Sequence, residues 1–138
     1  MMDAVLDSLL TGLPVLLAHL LAALAMLSLA AWTYMYITPM EEMELIRGGN
    51  RAAAISCAGG LLGIAIPLAA CLAASVNLWD LVVWGVVALV LQLIVVRLAD
   101  MALRGLRRRI EDGQEASAII LAAVKLAVAA LTAAAIGG

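Results

Sequence analysis

Phenylalanine is absent from this 138-residue chain, and three tryptophans and two tyrosines make up its aromatic content. Charge is scarce as well: 13% of residues are Asp, Glu, Lys or Arg, against 67% hydrophobic, and mean hydropathy is +1.16. A soluble domain of this size keeps a large fraction of its surface in water and has nowhere to hide that much apolar matter. The composition therefore excludes a water-soluble globule and calls for lipid as the solvent. What remains is Leu, Val, Ala, Ile and Gly, a mix suited to helices that pack closely on one another in a bilayer.

Other absences narrow the function. No Lys or Arg precedes the first apolar run, where Asp3 and Asp7 stand instead, and the run is too long for a cleavable signal peptide. The one basic cluster is short and stands beside acids, so no nucleic-acid partner is expected. No Ser-His-acid set, phosphate loop or paired carboxylate is recognisable inside the apolar runs, so neither an enzyme nor a cofactor is expected. Met35, Met40 and Met43 have no Cys or His beside them, so no metal site is expected there. Cys57 and Cys71 share one apolar segment. Fourteen helical residues span about 21 Å, so the two cannot bridge within that helix and read as small apolar filler.

Four apolar stretches are present, about 9–36, 52–75, 79–101 and 116–136, each near the ~20 residues needed to cross a hydrocarbon core. Backbone polar groups in lipid must be satisfied within the segment, and no period-two alternation is visible, so the chain is expected to be all-α, a single polytopic membrane domain. The first linker, "ITPMEEMELIRGGN", predicts a short interfacial helix over about 39–47, with Thr38 as its cap, Pro39 opening it and Glu41 completing the cap. Gly48 and Gly49 end it, and Asn50 is placed to cap the second span. Arg47 and Arg51 flank this linker; Arg97, Arg104, Arg107, Arg108 and Arg109 flank the one after the third span. Positive linkers stay in the cytoplasm, so both termini and the turn near 75–80 are expected outside.

The run "LIRGGNRAAAI" at 45–55 returns, altered, as "RIEDGQEASAI" at 109–119. A shift of 64 lays Ile46 on Ile110, Gly49 on Gly113, Ile55 on Ile119 and Leu62 on Leu126. The economical reading is a duplicated helix hairpin, units about 1–74 and 75–138, each with two spans and both in one orientation: two parallel helix-hairpin repeats.

Thr38-Pro39, Glu44, Leu45-Ile46, Asn50, Ala52-Ala53, Gly59 or Gly60, Leu62-Gly63, Pro67, Asp80, Trp84-Gly85 and Gln92-Leu93 form a pattern of polar and small residues inside apolar spans. In this the chain resembles the YjfL-type inner-membrane proteins, the domain of unknown function 350 family. The resemblance covers about 37–93 strongly and 94–127 loosely. It implies a small four-span protein of the bacterial inner membrane and supplies no reaction.

Several polar and small residues are candidates for function. Lys125 lies roughly 15 Å into the fourth span from Glu115, where a cation costs about 2.5–3.5 kcal/mol on insertion scales. It either snorkels from a lipid face, bridges helices, or lines an ion or proton path; the Ala118, Ala122, Ala129 and Thr132 stripe beside it argues for a facing helix. Depth counting puts His19 and Gln92 near the same layer, which predicts a His19–Gln92–Lys125 polar layer. Asp80 either caps the third span or, with Asn77 and Trp84, forms an outer mouth that attracts cations. Gly59 and Gly63 suit close helix packing, and Pro67 a hinge. Arg97 and Asp100 read as a surface pair. Arg104, Arg107, Arg108 and Arg109 read as an orientation determinant or a contact for anionic headgroups or an acidic partner.

Two functions follow as expectations. The first is a homo-oligomeric channel or transport component for a small ion or solute, self-associating through the small-residue faces of spans two and four. The alternative is a membrane scaffold that recruits a soluble cytoplasmic partner through its charged linkers.

Overall fold

The structure, a computed structural model, describes residues 1–37 and 42–137, and the described residues are helical apart from short turns. They form α1 (Met2–Ile37), α2 (Glu42–Arg47), α3 (Arg51–Ala74), α4 (Leu78–Ala102), α5 (Arg104–Glu111) and α6 (Glu115–Gly137). Four of them, α1, α3, α4 and α6, are long and apolar enough to cross a membrane. The cap expected from Thr38, Pro39 and Glu41 lies outside the described residues.

The starts and stops have local causes. Asn50 opens α3 by accepting a hydrogen bond from the Ala53 amide at 3.1 Å. Asn77 opens α4 in the same way through the Asp80 amide at 2.9 Å, while the Asp80 carboxylate accepts from the Val76 amide at 3.0 Å. Two side chains thus satisfy amide donors at the helix start that would otherwise be orphaned. At the other side, α2 and α5 end alike. Gly49 and Gly113 sit at φ 90° and 88°, the left-handed region that L side chains avoid. The Asn50 amide returns to the Leu45 carbonyl and the Gln114 amide to the Arg109 carbonyl, both at 2.9 Å, a six-residue closure characteristic of a glycine helix stop.

α1 begins seven residues before the expected ninth position. Asp3 in its first turn complements the positive end of the helix, and the chain helix runs on through Pro14. At 36 residues α1 exceeds the ~20 needed to cross a hydrocarbon core, leaving roughly 16 beyond it.

α3 and α6 make the most extensive helix pair and run parallel. Arg51 meets Glu115 at their starts (3.3 Å), Gly59 lies on Ala122 and Gly63 on Lys125. α1 and α4 run the opposite way, with Tyr34 against Gly60 and Leu68 against Gly85. Three apolar clusters hold the bundle. Ala30, Tyr34, Ile64, Leu68, Leu89 and Val96 join α1, α3 and α4 at mid-height. Ala52, Ala53, Ile110, Ala118 and Leu121 tie α3 to α5 and α6 beside the charged turns. Cys71, Leu81 and Ala88 close the opposite end. Asn50 reinforces the second cluster, since its amide donates to the carbonyls of Ile110 (3.1 Å) and Glu111 (3.3 Å) across the two turns.

Candidate functional site

Among the described residues, the bundle interior holds charged side chains at one place. Lys125 of α6 is 1% exposed and Asp100 of α4 is 2% exposed, with Nζ and Oδ1 3.3 Å apart. Nζ also donates to the Tyr34 hydroxyl of α1 at 2.5 Å and stands 5.1 Å from the centre of that ring. An ammonium, a carboxylate and a phenol from three helices therefore meet out of solvent. Local geometry brings them there. Helical side chains lean toward the N-terminus of their own helix, so on antiparallel α4 and α6 the two charged groups lean toward each other. Gly60 makes room for the phenol, since a methyl group there would come within 2.7 Å of the Tyr34 ring.

Two further buried polar side chains stand near this cluster in the fold. Gln92 is fully buried on the same face of α4 as Asp100, two turns away, which is about 12 Å along the axis. Neither its amide nitrogen nor its oxygen has a hydrogen-bond partner. Ser56 is fully buried on α3, one turn before Gly60, and its hydroxyl also has none. An unpaired buried polar atom costs about 1–3 kcal/mol, so such groups call for a reason.

The structure departs from the sequence expectations in two respects. His19 is not in the Lys125 layer. It bonds back to the Val15 carbonyl at 2.8 Å and lines an apolar crevice with Leu72, Ser75 and Val76, fifteen residues, or about 22 Å, along α1 from Tyr34. Depth counted from an assumed rim misplaces it because α1 is much longer than the other spans. Asp100 does not form a surface pair with Arg97, because it turns inward to Lys125, while Arg97 lies in a shallow apolar groove with Ile37, Val90 and Ile94. Gly59 and Gly63 pack within the bundle, as expected of close-packing residues: a methyl group on Gly59 would lie 2.5 Å from the Ala122 Cβ of α6. Pro67 is fully buried and α3 runs on through it, although the proline leaves the Gly63 carbonyl without its helical donor.

Asp80 and Trp84 line an open cleft of about 630 Å³ at the end of the bundle away from the charged turns, together with Cys71, Ser75, Leu91 and Thr132. Asn77 is adjacent, engaged as the α4 cap. At the opposite end, Asn50, Arg51, Glu111 and Glu115 line a polar hollow of about 350 Å³ between the two glycine turns. Arg108 and Arg109 are exposed in the last turn of α5; the side chains of Arg104 and Arg107 lie outside the described residues. Tyr34, Asp100 and Ser56 are the members that sequence reasoning missed. Charge balance was the available signal for Asp100: an intramembrane lysine needs a counter-ion, and Asp100 shares the helical face of Gln92.

The model of the family described as Domain of Unknown Function (DUF350) matches residues 8–136. The chain belongs to the DUF350 family. It is 32% identical over 110 residues to the UPF0719 inner membrane protein YjfL of Escherichia coli K12, covering 80% of this chain and 83% of that relative. The protein of the same name from Escherichia coli O157:H7 matches equally. No solved structure matches. Four apolar helices and an inner-membrane relative make this DUF350 protein an integral, multi-pass inner-membrane protein. All its polar site elements fall within the family match.

Proposed function

We propose that this DUF350 protein is a transport component for a small ion or solute, and not an enzyme. The observation that carries the reading is the Lys125–Asp100–Tyr34 cluster, fully enclosed among apolar helices. Ionisable groups inside a membrane bundle are expensive, and where they face the interior they commonly line solute or proton paths. The cleft at Asp80 and the polar hollow at Asn50 lie at the two ends of the bundle, with the enclosed cluster between them. In this reading both termini lie outside, the arginine-bearing turns lie in the cytoplasm, and the chain is a duplicated hairpin. The matching glycine stops 64 residues apart support the duplication. Self-association would use the outer faces of the bundle, because the small-residue faces are occupied by α3 and α6 themselves.

Purified protein in liposomes tests this. Flux of a small ion or solute above that of empty vesicles is expected, and Lys125→Met, Gln92→Leu or Asp80→Asn should change it. Absence of any flux would remove the reading. The scaffold alternative draws on the exposed Arg108, Arg109, Glu111 and Asp112 around the inner hollow. It expects no flux, and loss of partner capture when Arg108 and Arg109 are reversed in charge.

A further inference from the structure

We propose that the species carried is the proton, relayed through Gln92, the Asp100–Lys125 pair, Tyr34 and Ser56. This rests on the transport reading and names its substrate. The first ground is steric. At Gly59 the α3–α6 seam has no room for a methyl group, so a hydrated ion has no bore there. The second is electrostatic. A fixed ammonium repels cations and the carboxylate beside it repels anions, so an ion pair in mid-bundle is a barrier to both signs. The proton is the one small ion that such a pair can itself bind and release.

The third ground is the order of groups through the bundle. The outer cleft, with Asp80, Ser75 and Thr132, reaches Leu91, the residue before Gln92. Gln92 offers a donor and an acceptor, both unpartnered, to water entering from that cleft. About 12 Å further along the same face stands Asp100, paired with Lys125 and through it with the Tyr34 hydroxyl, so water must carry the proton from Gln92 to the pair. Beyond Tyr34, α3 contributes the Ser56 hydroxyl, unpartnered, and then the inner hollow with Arg51, Glu111 and Glu115. The charged or titratable side chains that meet Lys125 are Tyr34 of α1 and Asp100 of α4. Against Lys125, α3 presents Gly63.

The cycle balances in protons. A proton from the outer side adds to the Asp100 carboxylate, giving a neutral acid beside the ammonium. The ammonium then loses one proton through the Tyr34 hydroxyl, which accepts it on oxygen as it releases its own to a water entering between Tyr34 and the Ser56 hydroxyl, out of direct reach of each other, and so to the inner side. Asp100 finally returns its proton to the Lys125 amine, restoring the ion pair. One proton enters and one leaves.

The test is an imposed pH gradient across liposomes holding the purified protein and an internal pH dye, with potassium and valinomycin clamping the voltage. Potassium and chloride fluxes are followed in parallel samples. The wild type is expected to collapse the gradient faster than empty vesicles, with no potassium or chloride flux. Tyr34→Phe keeps the ring against Gly60 and removes the hydroxyl; it is expected to slow proton flux by about a hundredfold, the low end of what a positioned acid–base group contributes. Lys125→Met/Asp100→Leu, which keeps an apolar and foldable core, is expected to abolish it. Proton flux unchanged in a folded double variant overturns the relay. Potassium, chloride or solute flux without proton flux overturns the proton assignment and leaves the transport reading standing. No flux of any kind overturns both.

Discussion

Lys125 concentrates the energetics of this protein in one side chain. Its ammonium exchanges hydration for one carboxylate and one phenol oxygen. Breaking a buried pair from one side strands a charge and costs about 3–5 kcal/mol, whereas replacing both partners with apolar groups is often neutral. Lys125→Met alone should therefore lower the unfolding temperature in detergent sharply, and the Lys125→Met/Asp100→Leu double variant should recover most of the loss. Two single losses that simply add would show that the groups are not coupled. The inward face of Lys125 was legible in the sequence, because Ala118, Ala122 and Ala129 on the same stripe leave space for a neighbouring helix. Its partners were not. Asp100 and Tyr34 come from 25 and 91 positions away, and local pattern carries no information on which helices meet. A second residue-scale effect belongs to the turns. Gly49 and Gly113 have open space around them and hold left-handed backbone, so alanine meets only conformational strain. Gly49→Ala and Gly113→Ala should each cost about 1–2 kcal/mol in equilibrium unfolding, with asparagine milder.

The helices themselves were legible to within a residue or two for three of the four spans, because lipid demands that apolar runs end where caps and charges begin. Asn50 and Asn77, with Gly49 and Gly113, mark those ends by side-chain and backbone chemistry that reads directly from residue type. α1 is the exception. Its apolar count begins near residue 9, but a helix does not stop where lipid stops, and Asp3 favours a start at Met2. That difference in length is what displaced His19 from the layer assigned to it. Gly59 and Gly63 read correctly as residues that pack helices closely within the bundle, and their partner is α6. A graded prediction follows from the spacing. Gly59→Ala forces a methyl group against the Ala122 Cβ and backbone and should destabilise by about 1–3 kcal/mol. Gly63→Ala meets the Lys125 carbonyl at 3.4 Å, a contact that a small shift relieves, and should cost less. Thermal unfolding of the two variants in the same detergent checks the order; equal effects would mean that α6 does not sit on this face of α3.

At the scale of the whole molecule, the parallel course of α3 and α6 governs which surfaces share a compartment. Arg51 meets Glu115, and Asn50 reaches the carbonyls of Ile110 and Glu111, so the two glycine turns lie side by side at one end of the bundle. An odd number of crossings between them would separate those turns by the full membrane, but α3 and α4 are two crossings and return the chain to the same side. In the proposed orientation both turns lie in the cytoplasm, a side that Arg47 and Arg51 at one turn and Arg108 and Arg109 at the other would favour together. In a Cys57→Ala/Cys71→Ala background, Gly48→Cys and Asp112→Cys should both resist a membrane-impermeant maleimide applied outside intact spheroplasts and react once the membrane is opened. A cysteine at Val76, in the exposed outer turn, should react without opening. Labelling of positions 48 and 112 from opposite sides would break the parallel α3–α6 pair, because no tilt of the bundle keeps Asn50 bonded to Ile110 across a bilayer. Labelling of both from outside would leave that pair intact and invert the orientation, making the Asp80 cleft the cytoplasmic approach to Gln92 and the inner hollow the external one.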